Sequence, residues 1–277
     1  MPELDSSALA AVFADELIRC GVRHVCLSPG SRSAPLALAF GRSEALSVHV
    51  SIDERACAFR ALGIAKVLNE PVVVVCTSGT AAANLFPAVI EADLSYIPLI
   101  VLTADRPPEL RATSAPQAID QVKLYGERVR WFFEVGIAEG AGSSAERYWR
   151  SVVDQSVDAA TGAEPGPVHL NIAFRDPLVP PVIDKRAPQA KGHRYTRTVS
   201  SRMTVDAKGV EELAATMKAA TRPVLVAGYG ASAPAIATLA DATGWPVLAE
   251  AISGARVPGT ISCYDAILRV PELADEL

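Results

Sequence analysis

Short β-branched runs alternate with longer alanine- and leucine-rich stretches from the N-terminus to about residue 175, and this alternation most limits the folds open to the chain. The runs His24–Leu27, Ser47–Ile52, Val72–Cys76, Leu99–Thr103 and Val168–Ile172 are rich in apolar residues, as parallel strands covered on both faces are. Between them, Ala8–Cys20, Glu54–Leu68 and Ala81–Tyr96 have helical spacing. In the second stretch Ala58, Leu62, Ala65 and Lys66 recur at three- and four-residue intervals, giving an apolar face with polar edges. The alternation predicts an α/β fold, a parallel sheet with helices on both faces. Ligands of such sheets bind beyond the carboxyl ends of the strands. The polar clusters Ser28–Ser33, Asp53–Arg55, Thr77–Thr80 and Thr103–Arg106 all fall at those ends, so a site is expected where they converge.

From Asp176 to Arg202 the pattern dissolves. Pro177, Pro180, Pro181 and Pro188 are followed by Lys191, Arg194 and Arg197, which reads as a stiff interdomain linker with solvated basic residues that could instead contact a phosphate. A second α/β unit begins near Val205, with helix Ala207–Ala220, strand Pro223–Ala227, helix Ala233–Thr243 and strand Pro246–Glu250. The expected division is therefore a first domain at 1–182, a linker at 183–203, and at 204–277 the start of a second domain, truncated before its core can close. With a net charge of −5 and no face dense in lysine or arginine, nucleic acid is not expected as a partner. The five cysteines lack C-x-x-C spacing, which argues against zinc and a disulfide framework and for reduced thiols in the cytoplasm. Met1–Ser7 is acidic without an apolar signal core, and the longest apolar runs, Val72–Cys76 and Ile97–Leu102, are too short for a bilayer, so no membrane association is expected.

Each polar cluster admits a structural and a chemical reading. Leu27-Ser28-Pro29-Gly30-Ser31-Arg32-Ser33 is a strand running into a turn and a helix with Pro35 near its start. Hydroxyls and an arginine there suit a carboxylate or phosphate, while Ser31 or Ser33 would equally cap the helix. Asp53-Glu54-Arg55 opens a helix, where acids offset the dipole, although a carboxylate at a strand end can also be a tuned acid or base. Cys76-Thr77-Ser78-Gly79-Thr80, with Asn84, lets a ligand approach the backbone closely, but it lacks the lysine of a P-loop. Cys76 has no histidine placed to activate it and reads as a small buried residue. Arg106, ending Thr103-Ala104-Asp105-Arg106, suits a bidentate fork to a carboxylate or a surface pair with Asp105 or Glu109. His24, His49, His169 and His193 show no metal-ligand spacing. Gly228-Tyr229-Gly230-Ala231-Ser232-Ala233, with Glu250 ending the next strand, has the form of a dinucleotide fingerprint and equally of any tight α/β turn.

Taken in order, Ser28-Pro-Gly-Ser-Arg-Ser-Ala-Pro-Leu, Asp53-Glu-Arg, Cys76-Thr-Ser-Gly-Thr-Ala-Ala-Ala-Asn, Leu102-Thr-Ala-Asp-Arg-Pro-Pro-Glu-Leu-Arg, Ala115-Pro-Gln-Ala-Ile-Asp-Gln-Val and Tyr125-Gly carry a resemblance. The first domain resembles the pyrimidine-binding domain of the 2-succinyl-5-enolpyruvyl-6-hydroxy-3-cyclohexene-1-carboxylate synthases, thiamine-diphosphate enzymes of menaquinone or phylloquinone synthesis. The resemblance implies a transferase that decarboxylates 2-oxoglutarate and adds the succinyl-semialdehyde carbanion to isochorismate. It implies that Glu54 is the catalytic carboxylate, hydrogen-bonding N1′ of the cofactor's aminopyrimidine. Arg32 and Arg106 would hold substrate carboxylates with Ser31 and Gln117 as polar neighbours, and Ser78, Gly79 and Asn84 would abut the pyrimidine. The family holds the diphosphate and Mg2+ through a Gly-Asp-Gly…Asn motif in a C-terminal domain, across a dimer interface, and these residues contain no such motif. The chain is thus expected to be the N-terminal portion of a homodimeric or homotetrameric enzyme, without a metal ligand of its own and inactive alone. Two other readings stand beside this one: a non-catalytic binding or regulatory remnant of the fold, and a nicotinamide-dependent reductase built on Gly228–Ala233, which leaves the first domain unexplained.

Overall fold

In a computed structural model, which describes residues 5–138, 143–179, 192–199 and 204–274, the chain divides into two units, Met1–Arg202 and Met203–Leu277. The first unit begins with α1 (Asp5–Arg19), β1 (His24–Leu27), α2 (Ala34–Gly41), β2 (Ser47–Val50), α3 (Glu54–Leu68) and β3 (Val72–Cys76). It continues with α4 (Thr80–Asn84), α5 (Phe86–Leu94), β4 (Leu99–Asp105), β5 (Trp131–Ile137), α6 (Ser143–Thr161) and β6 (Val168–Ala173). The six strands form one sheet, every pairing parallel, in the order β2-β1-β3-β4-β6-β5.

The period of two along each strand sorts its side chains between two cores. Val25, Leu27, Val73 and Val75 join Phe13, Leu36 and Trp149 under α1, α2 and α6. Cys26, Val72, Val74 and Cys76 join Leu62, Leu85 and Val89 under α3 and α5. Both faces are therefore apolar, which is why these strands read as unbroken hydrophobic runs. Each fully buried valine or leucine contributes about 1.5–3 kcal/mol, enough in sum to hold the sheet ends rigid.

Two departures from the sequence reading have local causes. The helix expected over Ala81–Tyr96 is two helices, because Pro87 in the first turn of α5 has no backbone N–H to continue the preceding ladder. Strand β5 went unanticipated: it is an edge strand, its run is interrupted by Glu134 and Gly136, and the register shifts between those residues. Among the described residues, no helix is long and apolar enough to cross a membrane.

The expected linker at 183–203 is described only over 192–199, and that stretch lies against α1 and α6. The Tyr195 backbone N–H donates to Glu16 Oε1 at 2.7 Å, and that of Thr196 donates to Asp154. Arg194 is not solvated by itself; it pairs with Asp158 at 2.7 Å and Asp154 at 3.5 Å. Glu16, Cys20 and Asp154 form a potential metal cluster by proximity. Arg150, Arg194, the Cys20 thiol and the two backbone donors already engage these carboxylates, which is the usual condition of buried acids.

The second unit contains α7 (Ala207–Ala219), β7 (Leu225–Ala227), α8 (Ala233–Thr243), β8 (Val247–Ala249), α9 (Tyr264–Leu268) and α10 (Pro271–Ala274), with β7 and β8 parallel. Its core is small, centred on Ala227, Val247 and Ala255. A Cβ at Gly228 would lie 3.4 Å from Glu250 Oε2, so the fingerprint's glycine and acid are neighbours. Adjacent parallel strands bring their carboxyl ends together in any α/β unit, and this proximity does not separate the two readings of the motif.

Candidate functional site

The chain runs from β1 to β2 on one side and then returns to place β3 on the other, so the direction of winding reverses between β1 and β3. A crevice outside the carboxyl ends at such a reversal is where open α/β sheets bind ligands. The turns after β1 and β3 touch there: a Cβ on Gly30 would fall 2.3 Å from Thr77 Cβ. No residue but glycine fits at 30 unless one turn moves. Gly30→Ala is expected to lower stability by about 1–3 kcal/mol through overpacking. Thermal unfolding checks this, and an unshifted midpoint would mean that the turns separate freely.

The serines of the first turn do not cap α2. Ser33 occupies the N-cap position without a capping side-chain bond, and its hydroxyl donates to the Gly30 carbonyl at 3.1 Å. Ser31 is exposed. Arg32 between them turns inward and is 7% exposed, its Nη1 donating to the Phe174 carbonyl at 2.8 Å and meeting Asp176 Oδ2 at 3.2 Å. Its Nε has no hydrogen-bond partner.

At the start of α3 the two acids have different jobs. Asp53 is the N-cap, its Oδ1 accepting from the Ala56 N–H at 2.7 Å. Glu54 is half-buried, and its carboxylate takes no hydrogen bond or ion pair from the described residues. Its field reaches across to β3: burial first, then the Glu54 charge, pushes the Cys76 thiol well above its ordinary pKa. Cys76 is therefore a neutral buried thiol at the strand end.

After β3, Ser78 is fully buried and its hydroxyl accepts from Arg106 Nη1 at 3.0 Å. Gly79 has φ +83, and a Cβ there would meet the Gln117 carbonyl at 2.8 Å, so the turn after β3 packs on the loop that follows β4. Arg106 Nη2 donates to the Pro116 carbonyl at 2.9 Å, tying that same loop to the end of β4. Burial first and then the neighbouring Arg32 charge lower the Arg106 pKa, while Asp176 and Asp105 act in the opposite sense. The structure thus brings Arg32, Ser78, Gly79, Arg106 and Gln117 together. Asn84 is exposed, and its Nδ2 donates to the Thr80 carbonyl of its own helix at 2.9 Å.

Behind the turns lies a buried polar network. Gln121 Oε1 accepts the Gly79 N–H at 2.8 Å, and its Nε2 donates to the Ala104 carbonyl and to Asn171 Oδ1. Asn171 Nδ2 donates to Asp105 and Glu134, each at 2.9 Å, and both acids also hold Arg111. Asp105 Oδ1 accepts the Arg106 backbone N–H at 2.7 Å. Thr103 gives its hydroxyl proton to Asn171 Oδ1, so His169 Nε2, 2.7 Å away, must be the donor to that hydroxyl. This leaves His169 Nδ1 a bare lone pair, and burial holds the ring's pKa at about 3. Gln121 belongs to the quoted Ala115–Val122 motif, but its spacing gives no sign of its supporting role; Asn171 and Asp176 carry no sequence signal at all.

Residues 8–124 match the family model described as the thiamine pyrophosphate enzyme, N-terminal TPP binding domain. The chain is similar over 269 residues, 96% of its length, to the 2-succinyl-5-enolpyruvyl-6-hydroxy-3-cyclohexene-1-carboxylate synthase of Thermobifida fusca, at 48% identity. It is 43% identical to the protein of the same name from Geobacillus kaustophilus over 98% of the chain, and 44% identical to that of Myxococcus xanthus over 94%. These matches cover 48%, 48% and 46% of the relatives, so the chain spans about half the length of the curated proteins it matches.

Proposed function

We propose that the chain, whose residues 8–124 match the thiamine pyrophosphate enzyme N-terminal domain and which is similar over nearly all its length to 2-succinyl-5-enolpyruvyl-6-hydroxy-3-cyclohexene-1-carboxylate synthases, forms the pyrimidine-binding part of such a synthase. The substrates on this reading are 2-oxoglutarate and isochorismate, and the product feeds menaquinone or phylloquinone synthesis. The observation that carries the proposal is Glu54: a half-buried carboxylate at a strand end, without a protein hydrogen-bond partner, beside a neutral thiol and not engaged as the helix cap.

This donor set suits an aminopyrimidine, whose ring nitrogen needs one hydrogen-bonding carboxylate in apolar surroundings. When bound, thiamine diphosphate would supply the nucleophilic carbon that decarboxylation of a 2-oxo acid requires. Glu54 would hold a proton shared with the ring nitrogen, and the turn at Gly79, braced by Gln121, would line the ring's site. Arg32 and Arg106 orient the carboxylates of both substrates, with Ser31 and Gln117 beside them. The diphosphate and Mg2+ are assigned to residues outside this chain, contributed in a cytoplasmic homodimer or homotetramer.

The direct test is an assay of the complete protein with thiamine diphosphate and Mg2+, following CO2 release from 2-oxoglutarate and loss of isochorismate absorbance together. Both signals should rise in step and depend on the cofactor. Binding of either substrate with no CO2 release would instead identify a non-catalytic remnant of the fold.

A further inference from the structure

The arginine pair already has an anion beside it. Asp176 follows β6, which β3 and β4 separate from β1, and its carboxylate reaches Arg32 Nη1 at 3.2 Å. The contact is lopsided: the Arg32 side chain is 9% exposed and that of Asp176 is 70% exposed. Among the described residues, Asp176 is the sole acid paired with Arg32, and the Nε of that guanidinium has no acceptor. Arg32 does not need Asp176 to stay in place, because the Phe174 carbonyl holds the same Nη1 at 2.8 Å and the packing around a buried side chain fixes the rest. The Asp176 carboxylate, by contrast, sits in solvent on a single contact, with water available to solvate its charge. It is a charge that can leave.

We infer that Asp176 is a resident counter-ion of the Arg32–Arg106 pair, which the carboxylate of an incoming ligand must displace, so that it lowers the affinity of the site for anions. The inference rests on the reading of these arginines as carboxylate holders. A ligand with one carboxylate exchanges one anion for another beside Arg32 and gains little. A ligand with two displaces Asp176 with one group and keeps a second charge for the remaining cation, Arg106, whose guanidinium is tied to Ser78 and Pro116 only by neutral acceptors. The device also offsets part of the mutual repulsion of two neighbouring guanidinium groups: the Arg32 charge lowers the Arg106 pKa and the Asp176 charge opposes it.

The test uses the 277-residue chain and no thiamine diphosphate, so an error in the cofactor assignment does not affect it. NMR titrations with 2-oxoglutarate, a dianion, and levulinate, a monoanion of similar shape, compare the unaltered chain with Asp176→Asn. Asparagine keeps the size of the side chain at this exposed position, and the spectrum itself reports whether the variant is folded. The expected result is about three- to tenfold tighter binding of both probes, as fits removal of one nearby, solvent-screened charge. Arg106→Gln should weaken 2-oxoglutarate in both backgrounds. Glu70→Gln, an exposed position just before β3 at the other end of the sheet, changes the net charge equally and should leave affinity unchanged. Unchanged or weaker binding in Asp176→Asn overturns the inference, as does an equal gain in Glu70→Gln or the absence of 2-oxoglutarate binding in every variant.

Discussion

Glu54→Gln in the complete enzyme is expected to fold normally and lose about 10²- to 10⁴-fold in turnover, the range in which positioned acid–base groups act. The structural half of this expectation comes from the division of labour at the start of α3. Asp53, not Glu54, accepts the helix's orphan N–H, and no described residue donates to the Glu54 carboxylate. Removing its charge therefore leaves no protein donor without an acceptor, and the stability change should stay within about 0.5 kcal/mol. The chemical half follows because glutamine preserves the shape and can still meet a ring nitrogen, but cannot hold the proton that a carboxylate shares. Glu54→Asp supplies a graded control: it keeps the charge and draws it back by one methylene, and a misplacement of about 1 Å is worth roughly 10²-fold. Steady-state kinetics with matched thermal melts decide the matter. Turnover within a few-fold of the unaltered enzyme would return Glu54 to the role of a dipole-compensating surface acid.

That ambiguity also shows what a sequence displays and what it hides. The strands β1 and β3 were legible to the residue, because a strand buried on both faces is mostly apolar and these runs are too short and too β-branched for a typical helix. Strand β5 was not, since an edge strand needs only one covered face and tolerates Glu134 and Gly136. The site residues divide on similar lines. Polar residues at strand ends stand out against the apolar runs before them, which is how Arg32, Glu54, Ser78, Gly79 and Arg106 could be picked out. Whether Asp53 or Glu54 caps the helix is a matter of one dihedral and one hydrogen bond, which spacing does not encode. Asn171 sits inside an apolar strand as an apparent flaw in the pattern, and only the side chains that β4, β5 and the 117–121 loop bring to it explain it.

Asn171→Ala is expected to cost about 3–5 kcal/mol of stability, the largest effect of any single substitution considered for the fold. The side chain is fully buried and uses its whole amide. Oδ1 accepts from Thr103 and Gln121, while Nδ2 donates to Asp105 and Glu134. Truncation removes bonds to two carboxylates, each charge-assisted bond being worth about 1.5–3 kcal/mol, and opens a polar cavity. It does not strand every partner: Gln121 keeps the Ala104 carbonyl, and Asp105 and Glu134 keep Arg111, so the loss should fall below the sum of the four contacts. Asp105 is the partner most exposed to the change, because burial already pushes its carboxyl up and the Asn171 amide is the foremost influence pulling it back down. Without that amide the native state should favour a protonated Asp105 more strongly. A carboxyl whose folded pKa is raised binds extra protons in the native state, so the variant should lose further stability as pH rises above the ordinary carboxylate value. The consequence reaches the site, since Asp105 holds the Arg106 N–H and Gln121 holds that of Gly79. Urea denaturation of Asn171→Ala, Gln121→Leu and the double variant measures both parts. A shared network requires that the double variant lose clearly less than the two single losses added together. Strict additivity, or a loss under about 1 kcal/mol for Asn171→Ala, would show that these turns are held by packing alone.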